Sequence, residues 1–209
     1  MKYVQVLFSH ESIKSEVSNC QGGEMKIIEL LEDNRSFASR VDKGKLKELV
    51  EKGQKPIATI VSCSDSRVPV EVIFNQLKLG TFFVVRIAGN VVSDASVKGS
   101  IEYAVIHLKT PYLVVLGHTE CGAVKASLAG TNEGEIGKLV SNMKLESKDL
   151  DKAVIENVDL QVKRVTEMDC VKDALDKETM EVYGMLYDLS TGEVKCLSKN
   201  GAPCSGGLK

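Results

Sequence analysis

The sequence has no apolar run long enough to cross a membrane and no excess of charge of either sign. A membrane-spanning helix needs about 18 consecutive apolar residues, so we expect no membrane contact. A formal net charge of −2 over 209 residues gives no electrostatic reason to expect nucleic acid as a partner. The apolar stretch at residues 3–8 is short and is interrupted by Ser9, His10 and Glu11, which is untypical of a signal peptide. We therefore expect a cytoplasmic protein.

The chain also lacks a CxxC pair, a glycine-rich phosphate loop and any tryptophan. Because no GxGxxG or P-loop pattern follows an apolar run, a nucleotide-binding module is the least favoured function. Six cysteines are scattered at positions 20, 63, 121, 170, 196 and 204. In a cytoplasmic chain such cysteines are usually reduced and structural, or a subset binds metal. Cys196 and Cys204 could pair, but we expect two free thiols, and no role is predicted for Cys20 or Cys170.

Apolar runs alternate with amphipathic helical patterns along the middle of the chain. The order strand, helix, strand, helix, strand, helix predicts an α/β fold with a mainly parallel sheet and right-handed crossovers. The predicted strands are residues 57–62, 82–87 and 112–116, followed near the end by a hairpin of 180–189 and 193–197.

The domain organisation follows from the same patterns. We expect a loosely ordered leader over residues 1–23 and a flexible glycine-rich tail over 198–209. Residues 24–197 are predicted to form one catalytic α/β domain that includes an N-terminal helical arm. The second helix of this arm is predicted at Lys43–Lys52, and the arm would pack outside the sheet or on a partner subunit.

Two of the predicted strands end in chemically reactive side chains. The first runs into Cys63, Asp65 and Arg67, and the third runs into His118 and Cys121. Ligands of open α/β sheets collect at the carboxyl ends of the strands. Two thiols and one imidazole there form a plausible metal shell with three ligands and one open position. The alternative is that the two cysteines are small core residues and the histidine is hydrogen-bonded.

Asp65 and Arg67, two residues apart on an extended segment, can form a bidentate pair. This could be an ordinary ion pair. Beside a metal, however, Asp65 held by Arg67 would stay ionised and accept a hydrogen bond from a metal-bound water or hydroxide. Released from Arg67, Asp65 could become the fourth metal ligand and close the site.

Three motifs resemble those of the beta-class carbonic anhydrases: Cys-Ser-Asp-Ser-Arg at 63–67, Ile-Ala-Gly-Asn at 87–90 and His-Thr-Glu-Cys-Gly at 118–122. The similarity extends from about Lys26 to Asp188 and covers most of the chain. It implies one Zn²⁺ per subunit and reversible hydration of carbon dioxide to bicarbonate and a proton, by attack of zinc-bound hydroxide.

The resemblance also assigns residues and architecture. It implies Cys63, His118 and Cys121 as zinc ligands and Asp65 with Arg67 as the catalytic dyad. It implies about four parallel strands plus one antiparallel edge strand, flanked by helices. A homodimer or higher homo-oligomer is expected, with N-terminal helices wrapping the partner.

Other features refine these expectations. The backbone N–H near Gly122 is our candidate hydrogen-bond donor to the substrate. The inhibitory bicarbonate pocket that some family members build with a tryptophan cannot exist in that form here. The two remaining histidines, His10 and His107, are expected to titrate at the surface rather than to shuttle protons.

Two other functions stay open at the level of sequence. The same site could hydrolyse carbonyl sulfide or carbon disulfide, because the ligands do not distinguish these from carbon dioxide. The chain could also be a zinc-binding structural or redox-sensing relative without activity. An intact Asp65–Arg67 pair argues against the second option, because structural zinc sites normally close with four protein ligands.

Overall fold

The structure is a computed structural model that describes residues 27–204. The predicted leader, residues 1–23, lies outside the described residues, as does His10. Within residues 27–204 no helix is long and apolar enough to cross a membrane.

The chain divides into two compact units, one ending at Gln54 and the other running from Lys55. The described part of the first unit holds helix α1, Glu29–Arg40, and helix α2, Lys43–Lys52. Asp42 starts α2 by accepting hydrogen bonds from two backbone N–H groups of its first turn. These helices are the predicted arm, and their membership of a single catalytic domain stays a prediction.

The second unit is built on one six-stranded sheet with the order β2-β1-β3-β4-β5-β6. The strands are β1 Ala58–Ser62, β2 Phe82–Arg86, β3 Tyr112–His118, β4 Glu181–Tyr187, β5 Val194–Lys199 and β6 Ala202–Pro203. The first four are mutually parallel, and β5 and β6 are added antiparallel. The predicted sheet of about four parallel strands with an antiparallel addition at the edge is confirmed.

Helices connect and cover these strands. They are α3 Val70–Ile73, a 3₁₀ turn at Ala88–Asn90, α4 Ala95–Tyr103 with a π-helical continuation Ala104–Leu108, α5 Gly122–Leu128, α6 Gly134–Val140, α7 Leu150–Thr166 and α8 Asp169–Asp176. Asp94 and Asp149 cap α4 and α7 by accepting hydrogen bonds from backbone N–H groups of their first turns. The short helices α6 and α8 were not predicted, since one or two turns leave little periodicity to detect.

The central strands β1 and β3 are buried on both faces, as expected of parallel strands between helical layers. Every residue of β1 is buried, and so is every residue of β3 after Tyr112. Val61 and Val115 face the cluster that α4 and α7 cover, whereas the alternate residues Ile60 and Val114 face the opposite cluster. A continuous apolar run is therefore the correct sequence signature for these strands.

The C-terminal hairpin is longer than predicted. Strand β5 continues to Lys199, and the chain turns at Asn200-Gly201, both with positive φ, into β6. An Asn-Gly pair with left-handed φ at both positions is a strong signal for a two-residue hairpin turn. Ser198–Pro203 thus lies in paired strands rather than in the predicted flexible tail.

The same turn overturns the expectation of two free thiols at Cys196 and Cys204. The backbone N–H of Cys204 donates to the carbonyl of Leu197 at 3.0 Å, and the two cysteine Cα atoms lie 6.2 Å apart. The structure joins the two sulfurs in a disulfide. Cys196 and Cys204 are eight residues apart in sequence, so their closeness can be predicted only if the Asn200-Gly201 turn is recognised.

Close packing of α7 on β3 gives a stability test. A Cβ atom at Gly117 would lie 2.4 Å from the Cγ2 of Val158, a buried residue of α7. We expect Gly117→Ala to reduce the free energy of unfolding by about 1–3 kcal/mol, through overpacking. Chemical denaturation of the metal-free protein measures this change.

Gly99→Ala is the matched control. Gly99 lies inside α4, where an added Cβ would meet no atom within 4 Å. The same substitution there should be neutral or stabilise by up to about 1 kcal/mol, because alanine is the better helix former. Equal effects of the two substitutions would contradict the close contact between α7 and β3.

Candidate metal centre

The strand ends of β1 and β3 bring together the three predicted ligands. The two strands are parallel neighbours, with Ser62 paired to Leu116. Cys63 therefore follows β1 at the level where β3 continues into His118, and Cys121 precedes α5. The ligand atoms of Cys63, His118 and Cys121 all lie within 4.8 Å of one another. All three residues are buried.

The hydrogen bonds of His118 leave one ring nitrogen free. Its Nδ1 lies 2.8 Å from the carbonyl oxygen of Thr119, which can only accept, so the ring proton is on Nδ1. Nε2 is buried and has no hydrogen-bond partner among residues 27–204. A buried polar atom without a partner is costly, and here its lone pair faces two thiols. The alternative of a satisfied core histidine does not describe this residue.

The two thiols influence each other's ionisation. Hydrogen bonding from Cys121 is the largest cause that lowers the pKa of Cys63, and burial opposes it. The backbone N–H of Gly89, which donates to the Cys63 sulfur at 3.3 Å, adds to the lowering. The pKa of Cys121 is raised, chiefly by its hydrogen bond with Cys63 and by burial. The pair therefore favours a single thiolate, and a cation bound in place of the shared proton would stabilise a second one.

This donor set fits a zinc ion. Two sulfurs and one imidazole nitrogen are ligands that Zn²⁺ prefers, and three protein ligands leave one position open. Tetrahedral coordination at ordinary Zn–S lengths separates two sulfurs by about 3.8 Å, which is compatible with the compact cluster. The unpartnered Nε2 of His118 supplies the independent sign that a ligand atom belongs there.

Asp65 and Arg67 form the predicted bidentate pair at the edge of this cluster. Arg67 Nε donates to Asp65 Oδ1 at 2.9 Å, and Arg67 Nη2 donates to Oδ2 at 2.7 Å. The backbone N–H of Arg67 also donates to Oδ1, at 2.9 Å. These bonds, above all that from the Arg67 side chain, hold the pKa of Asp65 well below its usual range. Asp65 Oδ2 lies 3.9 Å from His118 Nε2.

Sequence reasoning missed Arg86, which fixes the backbone that carries the first ligand. Its Nε donates to the carbonyl of Cys63 at 3.2 Å, and its Nη2 donates to the carbonyl of Asp65 at 2.7 Å. The available signal was a charged residue at the end of an apolar strand, beside β1. Arg86 thereby holds Cys63 and Asp65 in their relative positions.

The remaining predicted positions are less involved. Gly122 is the first residue of α5, and an added Cβ there would meet no atom within 4 Å, so space is open beside it. Its role as a donor to substrate stays a prediction. His107 lies in the π-helical segment, with its ring 5.2 Å from that of Tyr103.

Comparisons with known proteins agree with this geometry. A family model described as carbonic anhydrase matches residues 58–194. Carbonic anhydrase 2 of Mycobacterium tuberculosis is 58% identical over 84 residues, which are 40% of this chain and 40% of that protein. That match therefore spans well under half of the relative's length. The carbonic anhydrase of Pseudomonas aeruginosa is 32% identical over 69% of this chain and 74% of its own length.

Solved structures share the fold. Coccomyxa beta-carbonic anhydrase, in complex with acetazolamide, gives a TM-score of 0.74 at 31% identity, covering 85% of this chain and 89% of that one. A structure from a study of two tetrameric beta-carbonic anhydrases of Sordaria macrospora gives 0.72 at 26% identity, covering 81% and 95%. With the family model matched over more than half of its length, the chain belongs to the beta class of the carbonic anhydrase family.

Proposed function

We propose that this protein is a carbonate dehydratase, which reversibly hydrates carbon dioxide to bicarbonate and a proton with one Zn²⁺ per subunit. The observation that carries the proposal is the buried, unpartnered Nε2 of His118 facing two thiols beside the Asp65–Arg67 pair. Family membership supports the same reaction.

Cys63, His118 and Cys121 would hold the zinc ion. Bound there, the ion supplies a Lewis acid that lowers the pKa of water from 15.7 towards about 7, so that hydroxide is available near neutral pH. Because two thiolates offset its charge, the lowering should be smaller than with three neutral histidines. Arg86 keeps the Cys63 carbonyl, and hence this ligand, in place.

Asp65 acts as a hydrogen-bond acceptor beside the reacting oxygen. While Arg67 holds both of its oxygens, its lowered pKa keeps it ionised through the neutral range. A carboxylate in that state does not take up a proton at neutral pH. Its function is therefore to accept a hydrogen bond from water and fix that oxygen's orientation towards the substrate carbon.

The Asp65–Arg67 pair also governs access to the open ligand position. In the structure both carboxylate oxygens bond Arg67. To ligate the metal, Asp65 would have to exchange these charge-assisted hydrogen bonds, which are roughly twice as strong as neutral ones. The paired arrangement is thus the one in which the open position is left for water.

The surroundings of the ligands suit an apolar, linear substrate. Cys63 and Cys121 lie in a buried cluster with Val91, Val124 and Met143. Carbon dioxide has no net charge and needs little more than an apolar space and one or two hydrogen-bond donors. The backbone N–H near Gly122 is the proposed donor.

The assembly we propose is a homodimer or higher homo-oligomer. The first described helix exposes several large apolar side chains, namely Ile27, Ile28, Leu30 and Leu31 at or just before its start. Such a surface is typical of a helix that packs on a partner. We propose no nucleic acid or membrane partner, and a cytoplasmic location.

The first test removes a ligand. Changing a residue that only contacts a ligand weakens metal binding by about 10–100-fold. We expect Cys63→Ser, which removes a ligand, to weaken zinc binding by more than this and to abolish carbon dioxide hydration. Metal content after dialysis and stopped-flow hydration on one sample measure both. Cys170→Ser is the matched control, because Cys170 is the free cysteine outside the cluster in residues 27–204. Retained zinc in Cys63→Ser would remove Cys63 from the ligand set.

The second test addresses the carboxylate. Asp65→Ala should keep zinc but lower kcat by about 10²-fold or more, because the reacting oxygen loses its orientation. Asp173→Ala is the control, since Asp173 lies on α8 in an exposed ion pair with Lys177 at 3.8 Å. Full turnover in Asp65→Ala would exclude Asp65 from the mechanism.

The third test fixes the substrate. Carbon dioxide, carbonyl sulfide and carbon disulfide should be assayed on one zinc-loaded preparation across pH 6 to 9. We expect carbon dioxide to turn over fastest. Activity should rise with pH, as a Lewis acid that lowers the pKa of water would require, since Asp65 is already charged throughout. Faster turnover of a sulfur substrate would replace the proposed reaction, and zinc binding without any turnover would favour a structural role.

A further inference from the structure

The backbone turn after β2 contacts the first metal ligand directly. Gly89, in the 3₁₀ turn Ala88–Asn90, has a φ of +65°, a conformation that favours glycine. Its N–H donates to the sulfur of Cys63 at 3.3 Å. Such a bond stabilises the thiolate and withdraws charge from it, so the orientation of this one peptide N–H matters to the metal centre.

The other side of Gly89 is held by a helix distant in sequence. Asn157, on α7, donates from Nδ2 to the carbonyl of Gly89 at 2.8 Å. Asn157 is 1% exposed and lies on a helix whose buried face is otherwise mainly valine and alanine. Gly89 is therefore fixed at both ends, by Cys63 at its N–H and by Asn157 at its carbonyl.

A second buried amide fixes the orientation of the first. Gln161 Nε2 donates to Asn157 Oδ1 at 2.9 Å, and Gln161 Oε1 accepts from the backbone N–H of Val92 at 2.9 Å and from Arg164 Nη1 at 3.1 Å. The Val92 N–H can only donate and the Gly89 carbonyl can only accept. The direction of both side-chain amides is thereby determined, with no alternative flip that keeps all the bonds.

We infer that Asn157 and Gln161 are positioning residues for the metal centre, holding Gly89 so that its N–H stays on the Cys63 sulfur. The inference rests on the proposed metal-binding function of Cys63, His118 and Cys121. Neither amide is a ligand or touches the three ligand side chains through a described hydrogen bond. Asn157 and Gln161 lie one helical turn apart on α7, and they act on Cys63 only through the position of the 3₁₀ turn.

The burial of both amides indicates that their hydrogen bonds, and not only their volume, matter at these positions. Gln161 is fully buried, and an unpaired amide there would be costly. At position 157, an apolar side chain of similar size would fill the same space, but it would leave the buried Gly89 carbonyl without its donor.

The test compares Asn157→Ala with Val165→Ala, two turns further along the same helix and also buried. Both should lower the stability of the metal-free protein. Only Asn157→Ala should weaken zinc binding, by about 10–100-fold, measured by competition with a chromophoric chelator. Only Asn157→Ala should shift the thiolate-to-cobalt charge-transfer band of the Co²⁺-substituted protein.

Gln161→Met gives a second variant in case Asn157→Ala does not fold, because it adds no charge to a fully buried position. It fills a similar volume but cannot donate to Asn157, which frees that amide to rotate. A smaller loss of zinc affinity in the same direction is expected. Unchanged affinity and an unchanged cobalt spectrum in the folded variants would overturn the inference.

The outcomes separate this inference from the proposed function. A wild-type protein that binds zinc without hydrating carbon dioxide would refute the function, while the zinc affinity and the cobalt band would still decide the role of Asn157. A wild-type protein that binds neither zinc nor cobalt would overturn both.

Discussion

The parallel pairing of β1 with β3 is the constraint on which the rest of the structure depends. Cys63 and His118 are far apart in sequence, and the pairing of Ser62 with Leu116 brings their strand ends to one level. In the order β2-β1-β3-β4 the chain passes from β1 to β2 on one side and then crosses to β3 on the other side of β1. The connections therefore diverge between β1 and β3, which is the usual place for a ligand in such sheets.

Charge balance explains why the ends of β1 and β3 call for a cation. Two thiols and an imidazole are buried together. The hydrogen bond with Cys63 and burial raise the pKa of Cys121, so a second negative charge there is disfavoured without compensation. A dication and two thiolates together are neutral, which removes the cost of burying either alone. Asp65 is compensated separately by Arg67. With a dication bound, the site would consist of two adjacent neutral groups, the metal with its thiolates and the carboxylate–guanidinium pair.

Prediction from sequence succeeds where a signal is local and fails where it depends on tertiary contact. The apolar runs of β1 and β3 locate the strand ends, so Cys63, His118 and Cys121 can be grouped from the order of residues alone. Arg86 was missed because its partners are carbonyls of a neighbouring strand's extension. The disulfide between Cys196 and Cys204 was missed because the Asn200-Gly201 turn lies in a glycine-rich segment that is typical of a flexible tail.

The contact between α7 and the turn depends in the same way on a tertiary approach. An asparagine side chain is short, so Asn157 reaches the Gly89 carbonyl only if α7 lies close to the sheet. The absence of a side chain at Gly117 permits this, since a Cβ there would collide with Val158, the residue next to Asn157. Gly117 also directly precedes the proposed ligand His118 on β3. The same small residue therefore lets α7 approach the sheet beside His118 and, through Asn157, the turn that contacts Cys63. The packing of one helix thus links the two strand ends of the candidate metal centre.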